Sequence, residues 1–461
     1  MERLEHALPD DAVDAGAPRR EVATGGYERY VLGLLFVVYV LNFVDRQILA
    51  ILLEPIKEDL GASDTAMGFL TGIAFALFYT CAGIPIARFA DRGVRRSIIA
   101  VGLAVWSGMT ALSGVVRTFG QLAAARIGVG IGEAALVPPA HSLLSDYFPP
   151  ERRATAMALF SMGVHVGVAF GFLAGGWIAQ LFGWRRAFFA VGLPGLVLAV
   201  VVRLTVREPM RGRVEGLSLV DDSRGAASRG TASSGLVSRT AVSRESARDV
   251  VRFMWARRSF PHLALAAALH SFGGYAFAVW GPPFFMRVHG MTSGPLGTWL
   301  GCVLGVGGAG GAILGGLLGD RFGARDPRWR LWVPALGTVA QIPMVILVLN
   351  TPAPFPAMLF LVPSAVLSAI WLGPVFALTQ SLVRVQMRAT ASALIVFVIN
   401  LIGLGLGPLS IGFLNDLLQP RLGAQAIRYS LLLLAVTNVW AGTHFVLAAR
   451  TIREDLGRVG E

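Results

Sequence analysis

Lysine is almost missing from this chain of 461 residues: Lys57 is the only one, against 39 arginines. A Walker loop needs a Gly-Lys pair, and Lys57 follows Ile56, so ATP hydrolysis by that route is excluded. Charge of either sign is scarce too. Asp, Glu, Lys and Arg make up 15% of the residues, against about 25% in soluble domains. The two cysteines, Cys81 and Cys302, lie inside apolar runs and offer neither a disulfide framework nor metal-ligand spacing. There is no H-x-x-x-H pair and no plausible G-x-S-x-G elbow. No metal, no cofactor and no enzymatic activity are expected.

What the chain does have is apolar length. Hydrophobic residues reach 54%, glycine is 55 of 461, and mean hydropathy is +0.63. Twelve apolar runs are long enough to cross about 30 Å of hydrocarbon at 1.5 Å per residue. They fall near 30–53, 66–89, 97–117, 119–145, 155–182, 187–206, 260–285, 298–318, 331–349, 355–383, 390–414 and 427–449. These lengths suit helices, not barrel strands. The expected fold is therefore an all-α polytopic membrane protein. A polar tail (1–29) precedes a six-span bundle (30–206), a linker (207–258), a second bundle (260–449) and a short tail (450–461). The polar, acidic first residues read as a tail and not as a signal peptide. Within the linker, Arg211–Arg244 is a Ser/Gly/Arg-rich flexible stretch. Ser246–Arg258 alternates apolar residues with arginines, which fits either a membrane-surface helix or a ragged linker end.

The formal charge of +12 raises the question of nucleic acid. Its distribution answers it. With an even number of spans both tails share a side. That side and its loops hold 31 of the 40 basic residues, the opposite side 7, and the spans themselves 2. This is the positive-inside pattern and places both termini in the cytoplasm. No nucleic-acid partner is implied.

The two halves repeat one another. Ala87–Arg96 reads ARFADRGVRR after span 2, and Gly316–Arg325 reads GLLGDRFGAR after span 8. Two parallel six-span repeats are a transporter signature. Asp91 with Arg92, and Asp320 with Arg321, are expected to latch the cytoplasmic side closed: Asp can accept from an Arg or a helix N-terminus, and the glycines permit a tight turn. An ordinary charged loop is the alternative. The second copy resembles the G-x-x-x-D-R-x-G-x-R loop of the major facilitator superfamily at every position. The first departs, with Ala87 for the leading Gly and Gly93 one residue early. Span 5 resembles that family too, with Gly163, Gly167, Gly171 and Gly175 at four-residue spacing, Gly176 beside them, and Gly183-Trp184-Arg185 at its end. The resemblance covers everything but the N-terminal tail and the linker. It implies the family's fold: twelve transmembrane helices in two six-helix bundles related by a pseudo-two-fold axis.

Inside the spans there are four formal charges: Asp45 and Arg46 in span 1, Arg126 and Glu133 in span 4. An unpaired intramembrane charge is costly, so each should face the interior and find a partner. Counted from the span starts, Asp45 lies about 22 Å in from one side and Arg126 about 10 Å in from the other, nearly the same level of a 30 Å slab. Glu133 returns to almost the same helical face as Arg126 but about 10 Å deeper. Asp45 is thus expected to pair with Arg126 and titrate, with Glu133 as a second, inner station. A structural ion pair that only fixes packing is the alternative.

These residues narrow the resemblance. Asn42-Phe43-Val44-Asp45-Arg46, Arg126-Ile-Gly-Val-Gly-Ile-Gly-Glu133-Ala, Ser145-Asp146-Tyr147-Phe148, Arg207-Glu208-Pro209 and the Asn400–Pro408 stretch are similar to the spinster-like branch. The resemblance implies a secondary carrier that works by alternating access, is proton-coupled and uses the proton gradient as its energy source. Its substrate would be an amphiphilic lipid, a lysophospholipid or sphingoid-type molecule. Asp45 and Glu133 would carry proton coupling, with Arg46 and Arg126 as charge partners or headgroup contacts. Organic anion symporters share the D-R and G-x-G-E-A elements and are the runner-up; a channel is a further alternative. Asn42, Phe272, Tyr275, Trp371 and Asn400 are candidate substrate-lining residues, though Asn400 fits a bond to a neighbouring helix equally well. A monomer in the bacterial inner membrane is expected, with lipid bilayer, protons and substrate as its partners.

Overall fold

The computed structural model describes residues 25–90, 92–210, 247–384 and 387–458. Asp91 of the expected latch, most of the N-terminal tail and linker residues 211–246 lie outside them. Among the described residues the elements are helices joined by short turns.

Eleven helical stretches are long and apolar enough to cross a membrane. The first six run Gly26–Ile51, Asp64–Ala90, Arg95–Ser113, Phe119–Tyr147, Glu151–Phe182 and Trp184–Thr205. The next four are Ser259–His289, Ser293–Gly323, Trp329–Asn350 and Pro354–Ser381. The eleventh, Thr390–Gly457, contains a turn at Gly423, whose φ of 56° lies in the left-handed region, so it makes two crossings and the total is twelve. Side chains cap two of the starts. Ser63 Oγ accepts from the Ala66 amide at 3.1 Å before span 2, and Thr118 Oγ1 from the Gln121 amide at 3.3 Å before span 4.

In the first half, span 1 packs on span 5, and span 3 on spans 4 and 6. In the second, span 7 packs on spans 11 and 12, and span 9 on spans 10 and 12. The halves meet where span 5 packs on span 8 and span 2 on span 11. A shift of six turns span 5 into span 11 and span 8 into span 2, so the two junctions exchange under the repeat. That is the expected behaviour of a pseudo-two-fold pair.

The glycines of span 5 serve this packing. A Cβ on Gly163 would meet Tyr39, one on Gly167 would meet Phe43, and one on Gly175 would meet Ile48 and Ile51, all in span 1. At Gly171 a Cβ would lie 2.8 Å from Gln47 Cβ and 3.1 Å from the Val44 backbone. The neighbouring Gly176 turns to span 8, against Ser293 and Gly297. Gly171→Leu should therefore lower stability by about 1–3 kcal/mol or more through overpacking. Thermal unfolding in detergent tests this; an unchanged melting point would mean that the contact is loose.

Two features mark the side that holds the described chain ends. Ala247–Trp255 is a helix whose Val250 and Met254 are buried, while Trp255 is exposed and Arg257 lies over Phe253 at 4.6 Å. Nearby, Arg453 donates to Asp326 through Nε at 3.0 Å and Nη2 at 2.7 Å, which holds that carboxyl below the usual aspartate range. The tie is complete above the ordinary aspartate pKa and weakens as pH falls through the lowered one.

Candidate functional site

The four intramembrane charges form two pairs between spans 1 and 4. Arg126 donates to Asp45 Oδ1 at 2.7 Å, and Thr110 of span 3 donates to the other oxygen of Asp45. Arg46 Nε donates to Glu133 Oε2 at 2.7 Å. Asp45, Arg126 and Glu133 are each 97% or more buried, whereas the Arg46 side chain keeps 21% exposure. Successive residues of span 1 thus reach partners two turns apart on span 4. Asp45 bonds at its own level. The long side chain of Arg46 spans the drop to Glu133, and its guanidinium lies about 5 Å from the rings of Phe43, Phe75 and Tyr79. Glu133 Oε1 is buried with no hydrogen-bond partner among the described residues.

Beside these pairs is a cavity of about 70 Å³ between the halves. Arg46, Arg126 and Phe43 line it from the first half, and Tyr275, Val279 and Leu404 from the second. Part of its wall has an unusual helical form. Leu70–Ala74 of span 2 and Ile399–Leu406 of span 11 are both π-helical. They face each other closely: a Cβ on Gly72 would lie 2.5 Å from Gly405 O.

Of the expected lining residues, Tyr275 is in this wall and the others are not. Asn42, Phe272 and Trp371 are buried, Trp371 in a T-shaped contact with His270. Asn400 lies half-buried in the π-helical turn. Packing within each bundle takes up the side chains of Asn42, Phe272 and Trp371, which single-span reading cannot see. The second copy of the expected latch is unpaired among the described residues, and Asp91 of the first copy lies outside them. Arg92, Asp320 and Arg321 are exposed at the terminal side, and Asp320 and Arg321 have no ion-pair partner among the described residues. The halves are tied at the opposite end, and bundles that rock as rigid bodies part on one side when they close on the other.

That tie is a clasp that the sequence reading did not find. Arg287, at the far end of span 7, pairs with Glu54 at 2.7 Å and donates to both oxygens of Asp64. Lys57 pairs with Asp64 at 2.6 Å. Asp416 of span 11 accepts from the amides of Asp64 at 3.0 Å and Thr65 at 2.7 Å. A carboxylate from one half therefore caps the positive N-terminus of a span in the other. On the terminal side, Arg95 is buried and gathers Glu208 at 2.7 Å, Asp146 and Ser142. It pins the Arg207-Glu208-Pro209 segment to spans 3 and 4. The sequence reading noted Asp146 and Glu208 only as a resemblance.

Known proteins share this architecture. The model of the Major Facilitator Superfamily matches residues 35–447. An MFS-type efflux pump of Mycolicibacterium smegmatis is 34% identical over 457 residues, 99% of each chain. The probable galactarate/D-glucarate transporter GudP of Bacillus subtilis is 27% identical over 63% of this chain and 64% of its own. A crystal structure of a bacterial homolog to the human lysosomal transporter Spinster, inward-facing and unoccupied, superposes with a TM-score of 0.81 at 31% identity, covering 94% of this chain and 99% of that one. A chain matched by the family model across both bundles, and like that Spinster homolog over nearly its whole length, belongs to the major facilitator superfamily: it is a secondary transporter working by alternating access, related to the spinster-like proteins.

Proposed function

We propose that this transporter couples proton movement to the movement of an amphiphilic, lipid-like substrate of the lysophospholipid or sphingoid type, with an acidic group in its head. The observation that carries the reading is the pairing of two buried carboxylates, Asp45 and Glu133, with the two arginines that line the central cavity. A substrate phosphate or carboxylate entering the cavity competes for those arginines. A carboxylate that loses its arginine binds a proton more readily. Substrate and proton therefore act on the same two pairs, which is the linkage that coupled transport needs. Phe43, Phe75, Val279 and Leu404 give an apolar wall suited to an acyl chain. The spinster-like resemblance of the sequence implies the lipid class, and the likeness to a bacterial homolog of the lysosomal transporter Spinster agrees with that branch. The arginine asymmetry of the loops supports termini in the cytoplasm, hence a far-side clasp facing outward, and the bacterial relatives support the inner membrane. A second reading, an organic anion symporter, draws on the same two arginines and on the likeness to a sugar-acid transporter.

Proteoliposomes with an imposed pH gradient separate the two. Saturable lysophosphatidylethanolamine or sphingosine phosphate transport that follows the gradient and stops with a protonophore is the expected result. Gradient-driven galactarate uptake with no lipid movement would replace the first reading by the second.

A further inference from the structure

The second half of the molecule holds a polar chamber that the coupling residues do not use. Its volume is about 60 Å³. It lies behind span 7, with Gln341 of span 9, Ser364 and Ser368 of span 10, and Asn438 of span 12 in its wall. Asn438 is 2% exposed and Ser364 is 4% exposed. Asn438 Nδ2 donates to Gln341 Oε1 at 3.2 Å, and Gln341 Nε2 reaches Ser364 only at 3.5 Å. Two primary amides offer four N–H donors and two carbonyl oxygens. Half of that capacity is unspent, and no hydrogen bond to Asn438 Oδ1 is formed among the described residues. Facing an accessible chamber, these groups offer partners to a guest with hydrogen-bonding groups of its own.

The chamber is not isolated. Ala278 lines both it and the central cavity. Span 7 carries Gly273, Gly274 and Ala278 at the dividing wall, and a Cβ on Gly274 would meet nothing within 4 Å. Tyr275 lines the central cavity and Phe277 the chamber. The partition is thin because small residues form it.

We propose that this chamber is a second substrate subsite, which takes a neutral hydroxyl or amide group of the same anion whose charge rests on Arg46 and Arg126. The inference rests on the anionic-substrate reading and deepens it: the substrate has an acidic group and, beside it, an uncharged hydrogen-bonding group. Asn438 Oδ1 accepts from that group, and the free N–H of Gln341 or Asn438 donates to it. Lysophospholipids and sugar acids both fit this description through their hydroxyls, so the test has an arm for each.

The measurement is the KM of transport into proteoliposomes for matched probes. One pair is lysophosphatidylethanolamine and the analogue lacking its glycerol hydroxyl; the other is galactonate and a deoxy analogue. A site built to hydrogen-bond a hydroxyl rejects the analogue that lacks it, by about tenfold in KM or considerably more. Asn438→Leu should raise the KM for the hydroxylated probe to the level of its analogue and leave the analogue unchanged. Ser364→Ala should do the same more weakly, and serves if the leucine variant fails to fold. Equal KM values for a transported pair in the unmodified protein overturn the subsite and leave the lipid or sugar-acid reading standing. So does a parallel loss for both members of a pair in the variants. Discrimination in the galactonate arm alone keeps the subsite and removes the lipid reading. Transport of neither pair overturns both.

Discussion

Asp45→Asn should abolish accumulation driven by a pH gradient while the protein folds and still exchanges substrate across the membrane. The asparagine keeps the shape of the side chain, an oxygen that accepts from Arg126, and an amide that can donate to the Thr110 hydroxyl in place of the bond that the carboxylate accepted. It removes only the charge and the proton site. A gradient of two pH units is worth roughly 2.7 kcal/mol per proton, about a hundredfold in accumulation. Loss of coupling takes that ratio to about one, whereas counterflow without a gradient depends on binding and rocking alone. Driven uptake and counterflow measured on the same vesicles separate the two effects. Driven uptake equal to that of the unmodified protein would move the coupling role from Asp45 to Glu133, where the matching variant is Glu133→Gln.

Arg287→Gln should shift the molecule away from the state described here, with the far side opening. Among the described residues, Arg287 is the cation that joins Glu54 and Asp64 of the first half to span 7 of the second. Its side chain is 14% exposed and that of Asp64 is wholly buried. Removing one partner of a largely buried pair costs roughly 3–5 kcal/mol. Lys57 still faces Asp64 and softens the loss. About 3 kcal/mol is still a hundredfold change in the balance between two conformations. The check is a cysteine at Thr71→Cys, near the cavity, in a protein whose Cys81 and Cys302 are serines. Labelling by an impermeant maleimide added outside should rise at least about tenfold in the Arg287→Gln background. An unchanged labelling rate would mean that the span 5–span 8 packing alone holds the far side shut.

The membrane class, the helical spans and the repeat were legible because lipid imposes length and apolarity on every crossing. The Asp45–Arg126 pair was legible too, since four charges in twelve spans leave few partners and helix rise sets their levels. The Arg46–Glu133 bond was not. Backbone levels put Glu133 about 10 Å from Arg126 and leave out the reach of an arginine side chain. The clasp was hidden for another reason. Glu54, Lys57, Asp64, Arg287 and Asp416 lie at span ends, where charges look like solvated loop residues, and Arg287 is 223 positions from Asp64. The polar chamber escaped notice because Gln341, Ser364 and Asn438 carry no charge and sit singly in apolar runs. Their meaning lies in convergence across three spans. The π-helical turns have no local signature beyond small residues.

Those turns have a mechanical consequence. An α-helix advances 100° per residue, and a wider turn stores part of one residue's worth of rotation as slack. In span 2 that slack begins at Leu70, about 9 Å along the axis from Asp64 in the clasp. The facing turn in span 11 ends at Leu406, ten residues before Asp416. Each strut is thus fastened at one end and loosely wound where it meets its counterpart. Letting go at the far side frees a torsion that is felt first at Thr71 and Leu404, in the wall of the central cavity.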